Sequence, residues 1–188
     1  MKHIKTYDLF ENQYSLEQQS LNEDTGVIEK NINIKEPQRS RLINVLKGLE
    51  TKHHVKFTQK HFDDEVKLSG GIKLENGGYN PAALSAFKQL QQACKGKGLY
   101  YDEDSYRTYE KQGELFGMLL TKWGTIDKAM GLRSIPGYSQ HHTGKAFDIK
   151  PDEARPAVAQ NAAKFGFIFP YKEDGIRMAE PWHIYYNK

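Results

Sequence analysis

Two stretches near the C-terminal end of the chain alternate between residue classes. From Gly144 to Ile149, the small or polar Gly144, Ala146 and Asp148 alternate with Lys145, Phe147 and Ile149. A period of two predicts a strand with Phe147 and Ile149 on a core and Asp148 on the opposite face, beside the small Ala146. Farther on, Trp182, Ile184 and Tyr186 alternate with His183 and Tyr185. The same rule predicts a second strand, with Trp182 in the core and His183 facing away from it together with Tyr185. Helical spacing predicts helices over 39–49 (Leu42, Ile43, Val45 and Leu46 in phase), 81–97, 112–123 and 152–165, and short alternations predict strands over 54–58 and 65–68. Helices and strands mixed without a βαβ rhythm predict an α+β fold: a small antiparallel sheet flanked by helices, with an N-terminal extension. Residues 1–36, polar and poor in phased apolar positions, read as a leader or arm. Residues 37–75 read as an ordered extension of unknown role, and 76–188 as the main domain.

The polar faces of the two strands carry chemistry. His141 precedes Asp148 by an odd number of residues, so on one straight strand the two would face opposite ways. The chain must bend between them, and Thr143-Gly144 is the natural place because glycine takes positive φ without strain. Glu180 stands before Pro181, which keeps it in the approach to the second strand, near His183 but off its ladder. Two imidazoles, a carboxylate and a spare glutamate are what a hydrolytic zinc site asks for: three ligands, an open position for water, and a base. A lone strand histidine is ordinarily a surface or satisfied core residue. What singles these out is co-occurrence, since Ser139-x-His141-x-x-Gly144-x-Ala146-x-Asp148 followed by Glu180-x-Trp182-His183 fixes eight positions. His53, His54 and His61, with Asp63 and Asp64 after them, match no ligand spacing and read as solvated residues. His142 reads as an exposed loop histidine.

Composition narrows the partners. A net charge of +3, with Lys and Arg scattered, gives no basic block for nucleic acid. The single cysteine, Cys94, excludes an internal disulfide and reads as a small buried residue on a helix. No stretch is long and apolar enough for a membrane span, and the first residues hold no apolar signal region.

The paired motifs resemble the zinc peptidases that group lysostaphin, the D-alanyl-D-alanine metallopeptidases and the hedgehog signalling domain, and more narrowly the VanY-type D-alanyl-D-alanine carboxypeptidases. The resemblance extends upstream. Asn80-Pro-Ala-Ala-Leu resembles the helix before the first site strand, and Ser105-Tyr106-Arg107-Thr-Tyr109-Glu-Lys-Gln112 resembles the block S-G-Y-R-S-Y-x-x-Q. Ile135-Pro136-Gly137-Tyr-Ser139 leads into the first ligand, and Asn161-Ala-Ala-Lys-Phe-Gly166-Phe resembles the helix-to-strand turn. One departure stands out: the glycine between Ser105 and Tyr106 is missing.

That resemblance implies one Zn(2+) per chain, held by His141, Asp148 and His183 on the sheet, with Glu180 as catalytic base. It implies that Arg107 stabilises the oxyanion or binds a substrate carboxylate, and that Gln112 and Ser139 line the peptide pocket. The implied substrate is the peptidoglycan stem peptide, cut by a monomer that needs neither nucleic acid nor membrane. A wall enzyme without an export signal would reach its substrate by lysis, as bacteriophage endolysins do. Three alternatives stand beside the carboxypeptidase: an endopeptidase cutting L-alanyl-D-glutamate or a cross-bridge, a zinc-retaining binding module, and a thiol hydrolase using Cys94. Glu180 speaks against the binding module, because a structural site gains nothing from a free base.

Overall fold

The apolar residues separate into two cores in a computed structural model that describes residues 26–170 and 179–188. The first is helical and gathers Ile28, Leu42, Leu46, Phe62, Phe116 and Tyr138. Its elements are α1 (Val27–Asn31), α2 (Gln38–His53) and α3 (Gln59–Ser69), with later contributions from the middle of the chain. The second core gathers Phe87, Leu90, Phe147, Val158, Phe167 and Ile184 between a sheet and its covering helices. In chain order the remaining elements are α4 (Pro81–Ala93), β1 (Tyr100–Tyr101), α5 (Tyr109–Trp123), α6 (Ile126–Met130), β2 (Ala146–Lys150), α7 (Arg155–Asn161), β3 (Phe167–Ile168) and β4 (His183–Tyr186). Helices α5 and α6 join the helical core, while α4 and α7 cover the sheet. The fold is therefore α+β, as the patterning predicts.

The sheet has four strands in the order β1-β2-β4-β3, every pair antiparallel. In the central pair Phe147 faces Ile184, and Asp148 faces His183. Directly opposed residues project to the same side of a sheet. One face of this pair thus buries Phe147 and Ile184, and the other brings Asp148 and His183 together.

Local chemistry sets the helix ends. Asn80 starts α4 by accepting from the backbone N–H of Ala82 and Ala83, with Pro81 in the first turn. Thr108 caps α5 by accepting from Lys111 N–H. The predicted helix over 81–97 ends at Ala93, the one over 39–49 extends to Gln38–His53, and the one over 112–123 begins at Tyr109. The stretch 152–165 is a 3-10 turn (Asp152–Ala154), then α7, then a second 3-10 turn (Ala162–Phe165).

The two strands predicted over 54–58 and 65–68 are not formed. His54 ends α2 in the left-handed conformation, with φ 53°. Residues 65–68 lie inside α3, which opens with a reciprocal Thr58–His61 capping box and closes at Gly70, φ 72°. Its buried side chains are His61, Phe62, Glu65 and Ser69, a helical spacing hidden because polar residues occupy most of the inward positions. Of the polar leader, residues 1–25 lie outside the described residues. Farther along it, α1 buries Ile28, and Ile32 is buried beside it in the helical core.

Candidate metal centre

The register of β2 on β4 delivers two of the three predicted ligands, Asp148 and His183. The third, His141, comes from a 3-10 turn (Gln140–Thr143) whose N-terminal cap is Ser139, with Ser139 Oγ accepting from His141 N–H at 3.4 Å. The predicted bend follows at Gly144, with φ +66°. A Cβ there would lie 2.2 Å from Gly78 O and 2.7 Å from Asn80 N, so no other residue fits. Gly144 O in turn accepts from Asn80 N–H at 2.9 Å, tying the turn to the start of α4.

Three atoms converge as a result. His183 Nδ1 lies 3.1 Å and His141 Nε2 3.4 Å from Asp148 Oδ1. The ligand atoms of the three residues lie within 4.8 Å of one another. Each imidazole uses its other nitrogen elsewhere: His141 Nδ1 meets Ser105 O at 2.7 Å, and His183 Nε2 meets the side-chain oxygen of Gln140 at 3.0 Å. A neutral ring carries one N–H, and those two acceptors claim it. Lone pairs on His141 Nε2 and His183 Nδ1 then face a carboxylate oxygen with no proton between them. Such a trio repels itself unless a cation sits among them. Tetrahedral ligands about 2.0–2.2 Å from an ion stand roughly 3.3–3.6 Å apart, close to the separations seen here. The cluster therefore fits a single metal ion.

The charge states agree with that fit. Burial pushes His141 down to about 4, against the opposing pull of Asp148, so the ring is neutral at pH 7. Asp148 accepts at its outer oxygen from the Arg107 guanidinium, a partner that favours the carboxylate form.

Around the trio lies a cleft of about 90 Å³ whose lining includes Arg107, Gln112, Arg133, Ser139, Glu180 and Trp182. All of the predicted site residues thus meet in one place. Glu180 Oε2 stands 3.8 Å from His183 Nδ1, beside the ligand set rather than in it. Arg107 Nη2 donates to Asp148 Oδ2 at 2.7 Å and its Nε donates to Asp104 O at 2.7 Å. Gln112 is fully buried, with Nε2 donating to Ser134 O at 2.7 Å and Oε1 without a partner among the described residues.

Some roles were not visible in the sequence. Ser105 holds two ligands at once: its carbonyl takes His141, and its Oγ accepts from Asp148 N–H at 2.9 Å. Tyr106 follows Ser105 directly, without the glycine that the resembled block places between them, and adopts φ −100° and ψ 132°, a conformation open to any residue. His142 is not an exposed loop residue but is fully buried, with Nδ1 on Arg107 O at 2.7 Å and Nε2 accepting from Gly137 N–H at 3.1 Å. Main-chain partners of this kind leave no sequence signature. Trp182 is not in the core either: it precedes β4, is 37% exposed, and has the Arg155 guanidinium 5.5 Å above its ring. Its place in the alternation was a coincidence of the turn.

Residues 78–188 match the family model described as VanY, D-alanyl-D-alanine carboxypeptidase. The chain belongs to the VanY family. Among its relatives is a D-alanyl-D-alanine carboxypeptidase of Enterococcus faecalis, 30% identical over 139 residues that cover 61% of this chain and 50% of that protein. The chain spans about half the length of the curated relatives it matches. Among solved structures it is similar to an L,D-carboxypeptidase, DacB, from a Streptococcus (TM-score 0.50, 30% identity, 59% of this chain and 67% of that one). It is also similar to VanYB in complex with D-alanine-D-alanine (TM-score 0.52, 26% identity, 62% and 77%). The VanY match starts just ahead of α4, so α1, α2 and α3 lie outside it. No helix among the described residues is long and apolar enough to cross a membrane.

Proposed function

We propose that this VanY-family chain is a zinc-dependent carboxypeptidase that removes the terminal D-alanine from peptidoglycan stem peptides. The convergence of His141 Nε2, His183 Nδ1 and Asp148 Oδ1, with every remaining ring nitrogen tied to an oxygen, carries the reading. Two neutral nitrogens and one carboxylate match the donor set of catalytic zinc, which when bound supplies Lewis acidity to a water and to the scissile carbonyl.

The chain's own residues do the rest. Ser105 and Gln140 hold the two rings in the tautomers that leave those nitrogens bare. Arg107 neutralises the outer oxygen of Asp148 and fixes its orientation. Glu180, next to the ligands but outside them, accepts the proton of the attacking water and returns it to the leaving amine. Gln112 and Ser139 line the cleft that takes the peptide. No covalent intermediate arises, and Cys94 is unsuited to one: it is buried in the sheet core, and burial pushes its thiol up.

Digesting purified peptidoglycan with the zinc-loaded protein and weighing the products tests this directly. Loss of one alanine from pentapeptide stems is the expected result. Loss of alanine from tetrapeptide stems instead would move the assignment to an L,D-carboxypeptidase, the class named for DacB. Cleavage inside the stem or cross-bridge would replace it with the endopeptidase.

A further inference from the structure

Two guanidinium groups line the cleft, and they differ in what they already hold. Arg107 is committed, with Nη2 on Asp148 and Nε on the Asp104 carbonyl, and its side chain is only 9% exposed. The Arg133 guanidinium makes no hydrogen bond or ion pair among the described residues, although Arg133 is part-buried in the same cleft. We propose that Arg133 receives the free C-terminal carboxylate of the substrate. The inference rests on the peptidase reading and names the group that would select chain ends.

Arginine presents five N–H donors in a planar fork, and two of them match the two oxygens of a carboxylate. A guanidinium half-withdrawn from water without an acceptor is a poor resting arrangement unless a ligand completes it. Burial and the neighbouring charge of Arg107 both act to lower its affinity for its proton, while Asp148, Glu180 and Asp104 act the other way. An arriving carboxylate would relieve both unfavourable effects.

The backbone around Arg133 is anchored for such a task. Arg133 N–H donates to Ala129 O at 3.0 Å, closing α6. The next carbonyl, Ser134 O, is held by Gln112, and Ile135 N–H donates to the buried Glu65 carboxylate at 2.8 Å. Leu132 and Trp182, both partly exposed, share the lining and offer apolar surface for a small side chain beside the carboxylate. Arg133 lies outside the quoted motifs, which resume at Ile135.

Binding and kinetics together test the proposal. The probes are N-acetyl-D-alanyl-D-alanine and its C-terminal amide, titrated into zinc-loaded Glu180→Ala protein by calorimetry and assayed with protein that retains Glu180. Arg133→Gln should weaken the free acid about 10- to 100-fold and raise its KM similarly, with kcat and zinc content little changed. The amide, already weak, should lose little further. Arg133→Lys should recover part of the affinity by charge without the fork. Equal weakening of acid and amide, or an unchanged Kd for the acid, would overturn the proposal. Thermal melts of both variants separate a folding defect from lost binding, and Arg133→Lys serves as the test if Arg133→Gln unfolds. Should the wild type cleave neither probe, the peptidase reading fails, while the acid-over-amide preference in binding still decides the role of Arg133.

Discussion

The sheet half and the helical half of this protein secure the same cleft by different means. On the sheet side the ligands are set by strand register: Asp148 faces His183 because Phe147 and Ile184 must face the core. A slip of one residue would turn both ligands inward. On the helical side the cleft is held by single polar contacts reaching out of the core to a loop. Glu65 takes Ile135 N–H, Gln112 takes Ser134 O, and Lys73 N–H donates to Gly137 O at 2.7 Å. Leu42 packs so closely under Gly137 that a Cβ there would lie 2.5 Å from its Cδ2. Chemistry placed by register is all-or-none, whereas a wall held by separate contacts can be loosened one contact at a time.

The sharpest break of that contrast lies in the sheet. His183→Ala should abolish both metal binding and activity, since two remaining ligands cannot hold the ion. Elemental analysis should fall from about one zinc per chain to none; full occupancy in the variant would remove His183 from the ligand set. Glu180→Ala comes next. It should keep zinc and fold while turnover drops by about 10²- to 10⁴-fold, and a Cys94→Ser control should retain activity. A dead Cys94→Ser beside an active Glu180→Ala would hand the chemistry to the thiol.

Changes on the helical side should be graded. Glu65→Ala leaves Ile135 N–H buried without its acceptor, costing about 1–3 kcal/mol of stability while zinc stays bound. Denaturant melts and zinc content check this, and loss of metal would show that the two halves are not separable. The smallest effect is one of pH. His142 is held at about 4 by burial, below its ordinary 6.5, against the opposing pull of the Arg107 carbonyl, and its unprotonated Nε2 accepts from Gly137 N–H. The unfolded chain therefore takes up that proton first, so stability is complete above about 6.5 and declines as pH falls toward 4. His142→Asn keeps a donor for Arg107 O and should be less stable at pH 7 but show a shallower decline. Parallel melting curves would remove His142 from the pH response.

The two halves also differed in how far the sequence revealed them. Strands β2 and β4 followed from alternation, since Phe147, Ile149 and Ile184 are apolar where the core needs them. The metal ligands and Glu180 followed from motif spacing, and the bend at Gly144 from the odd separation of His141 and Asp148. Helix α3 did not, because its inward positions include His61, Glu65 and Ser69 while Val66 is 48% exposed. Over four residues that mixture imitates a strand. Ser105, Gln140 and His142 were missed for another reason. They act by hydrogen bonds fixed in three dimensions, several to main-chain atoms, and neither periodicity nor residue type records those.

Gly144 has a mechanical consequence. Its contact with Gly78 and Asn80 leaves no slack, and the turn is fastened there to the first residues of α4. The joint behaves as a weld rather than a pivot. His141 on one side and Asp148 on the other cannot drift apart without dragging a thirteen-residue helix with them. The floor of the cleft and the start of α4 are thus one rigid piece, and a bound peptide would meet His141 and Asp148 at a fixed separation.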